Sequence, residues 1–234
     1  MSRFPKLNRA ATTVAVLTTL AFAGVARGAP DRAATSDIAS ELSRAAEEAL
    51  ADRCDLNAID CVSHTLLRRA ELDQFARRRL REAGCFPGPG GAGCADAAAV
   101  LRKIDSENAM IVDEIVTREG WPSLPKFTFE AESAAWLLVQ HADHDPAFQT
   151  RALAHLSEAS AADSRFSYQV AYLADRIAIH AGEMQNYGTQ GRCDAGAWKP
   201  FPIADVGELD ARRDRMGLGS YEQYLSTTKA LCGR

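Results

Sequence analysis

The chain has no Cys-x-x-Cys pair, no His-Glu-x-x-His, no Gly-x-Ser-x-Gly elbow and no phosphate-binding P-loop. Those absences remove the familiar zinc, serine-hydrolase and nucleotide signatures, and no cofactor is expected. Gly88, Gly90 and Gly93 formally fit the dinucleotide Gly-x-Gly-x-x-Gly. That match is spurious, because an Arg-rich helix precedes it instead of a strand and two cysteines bracket it. Beyond Val25 no apolar run approaches the roughly 20 residues of a spanning helix. Alternating apolar and polar positions are also scarce; Lys126–Phe129 is the one strand candidate.

Positive charge is short as well. Residues 1–28 hold four of the 27 Lys and Arg and no acid, so the rest carries 23 basic against 31 acidic residues, net −8. That balance argues against a nucleic-acid partner. Arg68, Arg69, Arg77, Arg78, Arg79 and Arg81 are interleaved with Glu71, Asp73 and Glu82 and read as a solvated helix face.

What is present begins with a signal peptide over residues 1–28. Arg3, Lys6 and Arg9 form its basic region and Ala10–Val25 its apolar one, with small residues before Ala29. The mature chain is therefore expected in a periplasm or secreted, with no membrane span left. All six cysteines follow the signal, which reads as three disulfides. Sequence permits 15 connectivities; pairing neighbours gives Cys54–Cys61, Cys85–Cys94 and Cys193–Cys232. The last would close a loop of about 40 residues and hold the C-terminal tail.

Helical spacing dominates the remainder, without internal repeats. Ile38, Leu42, Ala45, Ala46 and Ala49 mark one helix after a Ser36-Asp37 cap, and Leu66 to Leu80 a second, stopped by Gly84. Further helices are predicted over 95–119, 130–140, from Asp145-Pro146 onward, over 165–181, and in two short pieces near 207–216 and 220–231. Residues 182–207 read as irregular. The expected fold is all-α, an irregular bundle of about seven helices with a long C-terminal loop. A disulfide-containing extension, 29–94, would precede a core domain, 95–234.

Chemistry-bearing residues gather in three segments. Gln140–Gln149 packs four titratable side chains and two amides between apolar helices. There His141 ends a helix and Asp143, two residues on, is placed to orient its ring, leaving the other nitrogen as base or ligand. Asp145 reads as a helix cap, His144 as an exposed turn residue, and His155 and His180 as core histidines. Asp175 and Arg176 lie in the apolar stretch Ala171–Ile179, where unpaired charge is costly. Consecutive helical residues project about 100° apart, so each needs a partner elsewhere, with Arg212 or Arg213 the candidates for Asp175. Gln185, Tyr187, Thr189 and Gln190 on the irregular segment, together with Gln149, supply neutral donors and acceptors suited to a peptide- or sugar-like ligand.

These residues carry a resemblance. Asp105 and Asn108, Gly120-Trp121-Pro122, Ala134–Gln149, Tyr172–Arg176, Gln185–Gln190 and Arg212-Arg213 together resemble a bacterial family known only as a domain of unknown function, over roughly residues 100–225. The resemblance implies a helical fold and a choice of site residues; it implies no activity. The reading that results is an exported hydrolase-like enzyme with His141, Asp143, Asp175 and Arg176 as its acid–base and charged groups and no metal. The alternative is a non-catalytic periplasmic binding protein, such as an inhibitor or immunity partner of another protein.

Overall fold

A computed structural model describes residues 32–51, 55–85, 94–123 and 125–232. The signal segment, Cys54 and the glycines at 88, 90 and 93 lie outside the described residues. Eight α-helices order the described chain: α1 (Arg32–Ala51), α2 (Ile59–Glu82), α3 (Cys94–Glu119), α4 (Phe129–Gln140), α5 (Pro146–Ala162), α6 (Ser167–His180), α7 (Leu209–Arg215) and α8 (Tyr221–Cys232). The protein is predominantly all-α, as its periodicity predicts.

Local signals set several boundaries. Asp145 is the N-cap of α5, its carboxylate accepting the Phe148 N–H at 2.9 Å, with Pro146 in the first helical position. Thr128 caps α4 by accepting from Ala131 N. Ser36-Asp37, by contrast, does not mark a helix start: α1 begins at Arg32, so both lie within its second turn.

Residues 182–207 are not wholly irregular. Strands β1 (Gly191–Asp194) and β2 (Ala197–Pro200) pair antiparallel, Cys193 opposite Trp198, around a two-residue turn. Ala195 and Gly196 take φ of 50° and 78°, both left-handed, as a tight hairpin turn requires. Each strand is only four residues long and shows no clean burial alternation, so period two is invisible there. Lys126–Phe129, the strand candidate, is instead a turn running into α4.

Two apolar clusters fill the interior. The larger lies among α2 to α6 and includes Leu66, Ile115, Trp136, Phe148, Leu156, Phe166 and Leu173. The smaller joins α1 to the later half of α2 and the start of α3 through Leu42, Ala76, Leu80 and Ile104. The Cys85–Cys94 disulfide sits in this second cluster and ties the end of α2 to the start of α3. Cys193–Cys232 fastens β1 to the end of α8. Cys61 is also disulfide-bonded; the pairing expected for Cys54 lies outside the described residues. No helix among the described residues is long and apolar enough to cross a membrane.

Candidate functional site

α2, α3 and the end of α4 bring together a buried ionic cluster. Asp73 and Arg77 are four residues apart on α2, on one face, with Arg77 Nε 3.1 Å from Asp73 Oδ1. Arg77 Nη2 donates to Asp105 Oδ1 on α3 at 2.7 Å. His141 follows α4 as its C-cap, and its Nδ1 lies 2.9 Å from both oxygens of Asp73. Asp73 has no solvent exposure, and the His141 side chain is 15% exposed.

The network assigns the tautomer. Asp73 and Asp105 offer Arg77 its acceptors, and an ionised carboxylate can only accept. Arg77 Nε, which has one hydrogen, lies 3.0 Å from His141 Nδ1 and 3.1 Å from Asp73 Oδ1; assigned to the carboxylate, that hydrogen leaves Nδ1 to donate to Asp73 and Nε2 with a lone pair. Burial pushes the His141 pKa down, outweighing the pull of Asp73, so the ring is neutral at pH 7. Burial alone would raise Asp73, but its hydrogen bonds and the neighbouring positive charge hold its carboxyl below the ordinary value. Asp105 goes the other way: burial, aided by the charges of Asp73 and Asp143, lifts it to about 7 against the pull of Arg77. Two carboxylates beside one arginine are thus driven apart, one ionised and one able to hold a proton near neutrality.

Asp143 does not orient His141. Its carboxylate receives Arg176 Nε and Nη2, each at 2.6 Å, with Gln149 Nε2 at 3.3 Å and His180 Nδ1 at 3.5 Å. The histidine ring turns toward α2, where Asp73 waits, while the turn carries Asp143 toward α6. Burial would raise the Asp143 pKa; the Arg176 bond and charge reverse that and lower it. This pair closes the solvent side of the cluster, the Asp143 side chain being 41% exposed. His155 and His180 are not core residues either: His155 is half-buried and His180 exposed.

Asp175 lies on a different face of α6 from Arg176. Fully buried, it accepts from the backbone N–H groups of Asn186, Tyr187 and Thr189 at 2.7 to 3.2 Å, and from Thr189 Oγ1 at 2.9 Å. One carboxylate thus gathers the N–H groups of a whole loop. Neither Arg212 nor Arg213 pairs with it; they take the carbonyls on the loop's other side, Arg212 at Asn186 O (2.8 Å) and Arg213 at Tyr187 O (2.6 Å). Gln185 is also buried, donating to the carbonyls of Gln190 and Phe201 and accepting from Gln190 N. Gln190 Nε2 reaches Thr189 Oγ1. The residues expected to bind a ligand here are largely occupied with one another. Gln149 is different: its Nε2 holds Val139 O and Asp143, while its buried Oε1 has no partner.

The three sequence segments therefore form two polar centres on different faces of α6. His141, Asp143 and Arg176 converge with Asp73, Arg77, Asp105 and His180. Asp175 converges with the 185–190 loop. Asp73 and Arg77, read as part of a solvated face, are buried; Arg68–Glu71 and Arg79–Glu82 on the same helix are solvated as expected. One signal marked the exception. Asp73 and Arg77 follow Leu66 by seven and eleven residues, the spacing of the buried stripe that also holds Val62 and Leu80.

A helical bundle enclosing an aspartate–histidine pair, crossed by an arginine that also grips a second carboxylate, defines the class of this protein. The chain belongs to the family of unknown function DUF6624, whose model matches residues 60–233. The matched region begins at α2 and so includes Asp73 and Arg77. No curated protein and no solved structure matches the chain. Among the described residues no cluster of histidine, cysteine and carboxylate side chains is arranged to hold a metal ion.

Proposed function

We propose that the protein is an exported hydrolase-like enzyme that uses His141 as a general base on a peptide- or sugar-like substrate. One observation carries this reading: His141 Nδ1 is 2.9 Å from both oxygens of a fully buried carboxylate. Such a partner fixes ring and tautomer and stabilises the imidazolium that forms during proton transfer. Nε2 takes a proton from water as the water oxygen bonds to the electrophilic carbon. The same proton then passes to the leaving nitrogen or oxygen as its bond to that carbon breaks. Asp105, its carboxyl lifted to about 7 and bonded to Arg77, offsets charge beside the Asp73–His141 pair during this cycle. Arg176, held by Asp143, supplies positive charge beside His141, and Gln149 offers its unpaired oxygen. Asp175, Gln185, Thr189 and Gln190 serve by holding the loop. The disulfides support export, since such bonds persist in oxidising compartments.

Nitrogen-15 NMR of His141 at pH 7 tests the base directly; the reading requires protonated Nδ1 and unprotonated Nε2. A panel of chromogenic peptide amides and glycosides tests turnover. His141→Ala and Asp73→Asn should each lower kcat/KM about 10²- to 10⁴-fold, and His144→Ala, an exposed control, should leave it unchanged. Wild-type rates in His141→Ala would overturn the proposal.

A further inference from the structure

A trough of about 760 Å³ runs along α2 and α4. Leu67 and Phe129 lie at one end, and Arg78 and Leu137 at the other. Ala70 and Ala134 line it between them, and two methyl side chains leave a depth that larger residues would fill. From Leu67 to Arg78 is eleven residues, roughly 16 Å of helix. The trough is thus long, open to solvent and mostly carbon-walled.

Its far end adjoins the histidine cluster by two routes. On α4, Glu130, Ala134 and Leu137 are spaced four and three apart, and a further step of four reaches His141, on the same face. On α2, Gln74 lines the trough and its Nε2 donates to Asp73 Oδ2 at 2.8 Å. That carboxylate is the one holding His141. Arg78 stands at this end, its guanidinium 5.7 Å from the Phe75 ring centre and in no ion pair among the described residues. Of the two acids that line it, Glu130 falls toward the opposite end, and Glu71, four residues from Leu67 and seven from Arg78, is paired with Arg68 at 3.2 Å. A cation at the histidine end of an apolar channel complements an amphiphile with a polar or anionic head and a carbon tail. The volume is that of a single small ligand; a protein partner would need a contact of about 800 Å² per side.

We infer that the trough binds the long acyl chain of an N- or O-acylated substrate, with the carbonyl end toward Arg78 and His141. The hydrolytic step after binding rests on the general-base reading of His141. Water then cleaves the acyl C–N or C–O bond, giving a long-chain carboxylate whose negative charge faces Arg78, and a free amine or alcohol.

The test is fluorescence titration with 11-(dansylamino)undecanoic acid, a long-chain carboxylate, and with its methyl ester, alongside circular dichroism to verify folding. The wild-type protein binds the acid saturably. Ala70→Leu and Ala134→Leu, each filling the trough, weaken binding tenfold or more while folded. Arg78→Glu weakens the acid at least threefold and leaves the ester unchanged. His144→Ala, on the exposed turn, binds like wild type. Absence of saturable binding, or full affinity in both filled variants, overturns the inference. The two readings fail separately. Chain binding without His141-dependent hydrolysis removes only the general base, whereas His141-dependent hydrolysis indifferent to acyl length removes only the trough.

Discussion

His141 Nδ1 is equidistant, at 2.9 Å, from the two oxygens of Asp73, and Arg77 Nε approaches the first of those oxygens at 3.1 Å. Replacing Asp73 therefore disturbs a histidine and a second acid together. In Asp73→Asn, Arg77 loses one ionised partner and leans on Asp105, and the negative charge that helped raise Asp105 is gone. The Asp105 pKa should fall below its value of about 7, as carbon-13 NMR titration of its carboxyl would report. An unchanged Asp105 titration would show that Asp73 does not govern it.

Stability against pH depends on the same cluster. Asp105 titrates near 7 folded against 3.8 in the unfolded chain, so between those values the folded state holds a proton that the unfolded state has released. Its stabilising contribution is full at low pH and is lost as pH rises to about 7. Asn mimics the protonated acid, so Asp105→Asn should gain on wild type between pH 4 and 8, by up to about 4 kcal/mol. His141 acts in the opposite sense. Kept neutral by the fold, it costs stability as pH drops below about 6.5, where the unfolded ring takes a proton. Urea unfolding of both proteins at several pH values measures the difference, which should widen upward.

Gly188 combines two constraints. Its φ is +68°, and a Cβ built there would lie 2.8 Å from Tyr221 Cε2. Gly182 has a similar φ of +76° but open space around it. Gly182→Ala should cost about 1 kcal/mol from backbone strain alone, and Gly188→Ala roughly 2 kcal/mol or more. Equal losses in denaturant unfolding would mean that Tyr221 yields freely.

Asp175→Ala removes the acceptor for three backbone N–H groups and the Thr189 hydroxyl. A loss of about 3–5 kcal/mol is expected, with faster amide exchange at Asn186, Tyr187 and Thr189. Turnover per folded molecule should persist, in contrast to His141→Ala. Loss of kcat at full stability would instead put Asp175 in the chemistry.

Helices were legible because their burial is periodic, and the start of α5 because Asp145-Pro146 is a local signal. The hairpin was not, since four-residue strands leave too little pattern and its turn uses Ala195 where Asn or Asp is usual. The histidine was found, but its partner was misplaced. Sequence proximity favoured Asp143; tertiary packing chose Asp73, 68 residues away. Nothing local separates an Asp-x-x-x-Arg pair on a wet surface from one in the interior. Only its register with Leu66 and Leu80 did so. The amides of 185–190 were likewise visible as a polar cluster, though not their use in satisfying one another.

Arg77 reaches toward two acids, and that gives the centre an internal charge balance. With Asp105 protonated, one carboxylate is negative, the guanidinium positive, and the second acid and the imidazole uncharged, so the sum is zero in a place where excess charge is expensive. A proton arriving on the imidazole would tip that sum to plus one, and release from Asp105 would restore it. Gain of a proton at the imidazole and loss of one at Asp105 thus offset each other in the net charge of the bundle's interior.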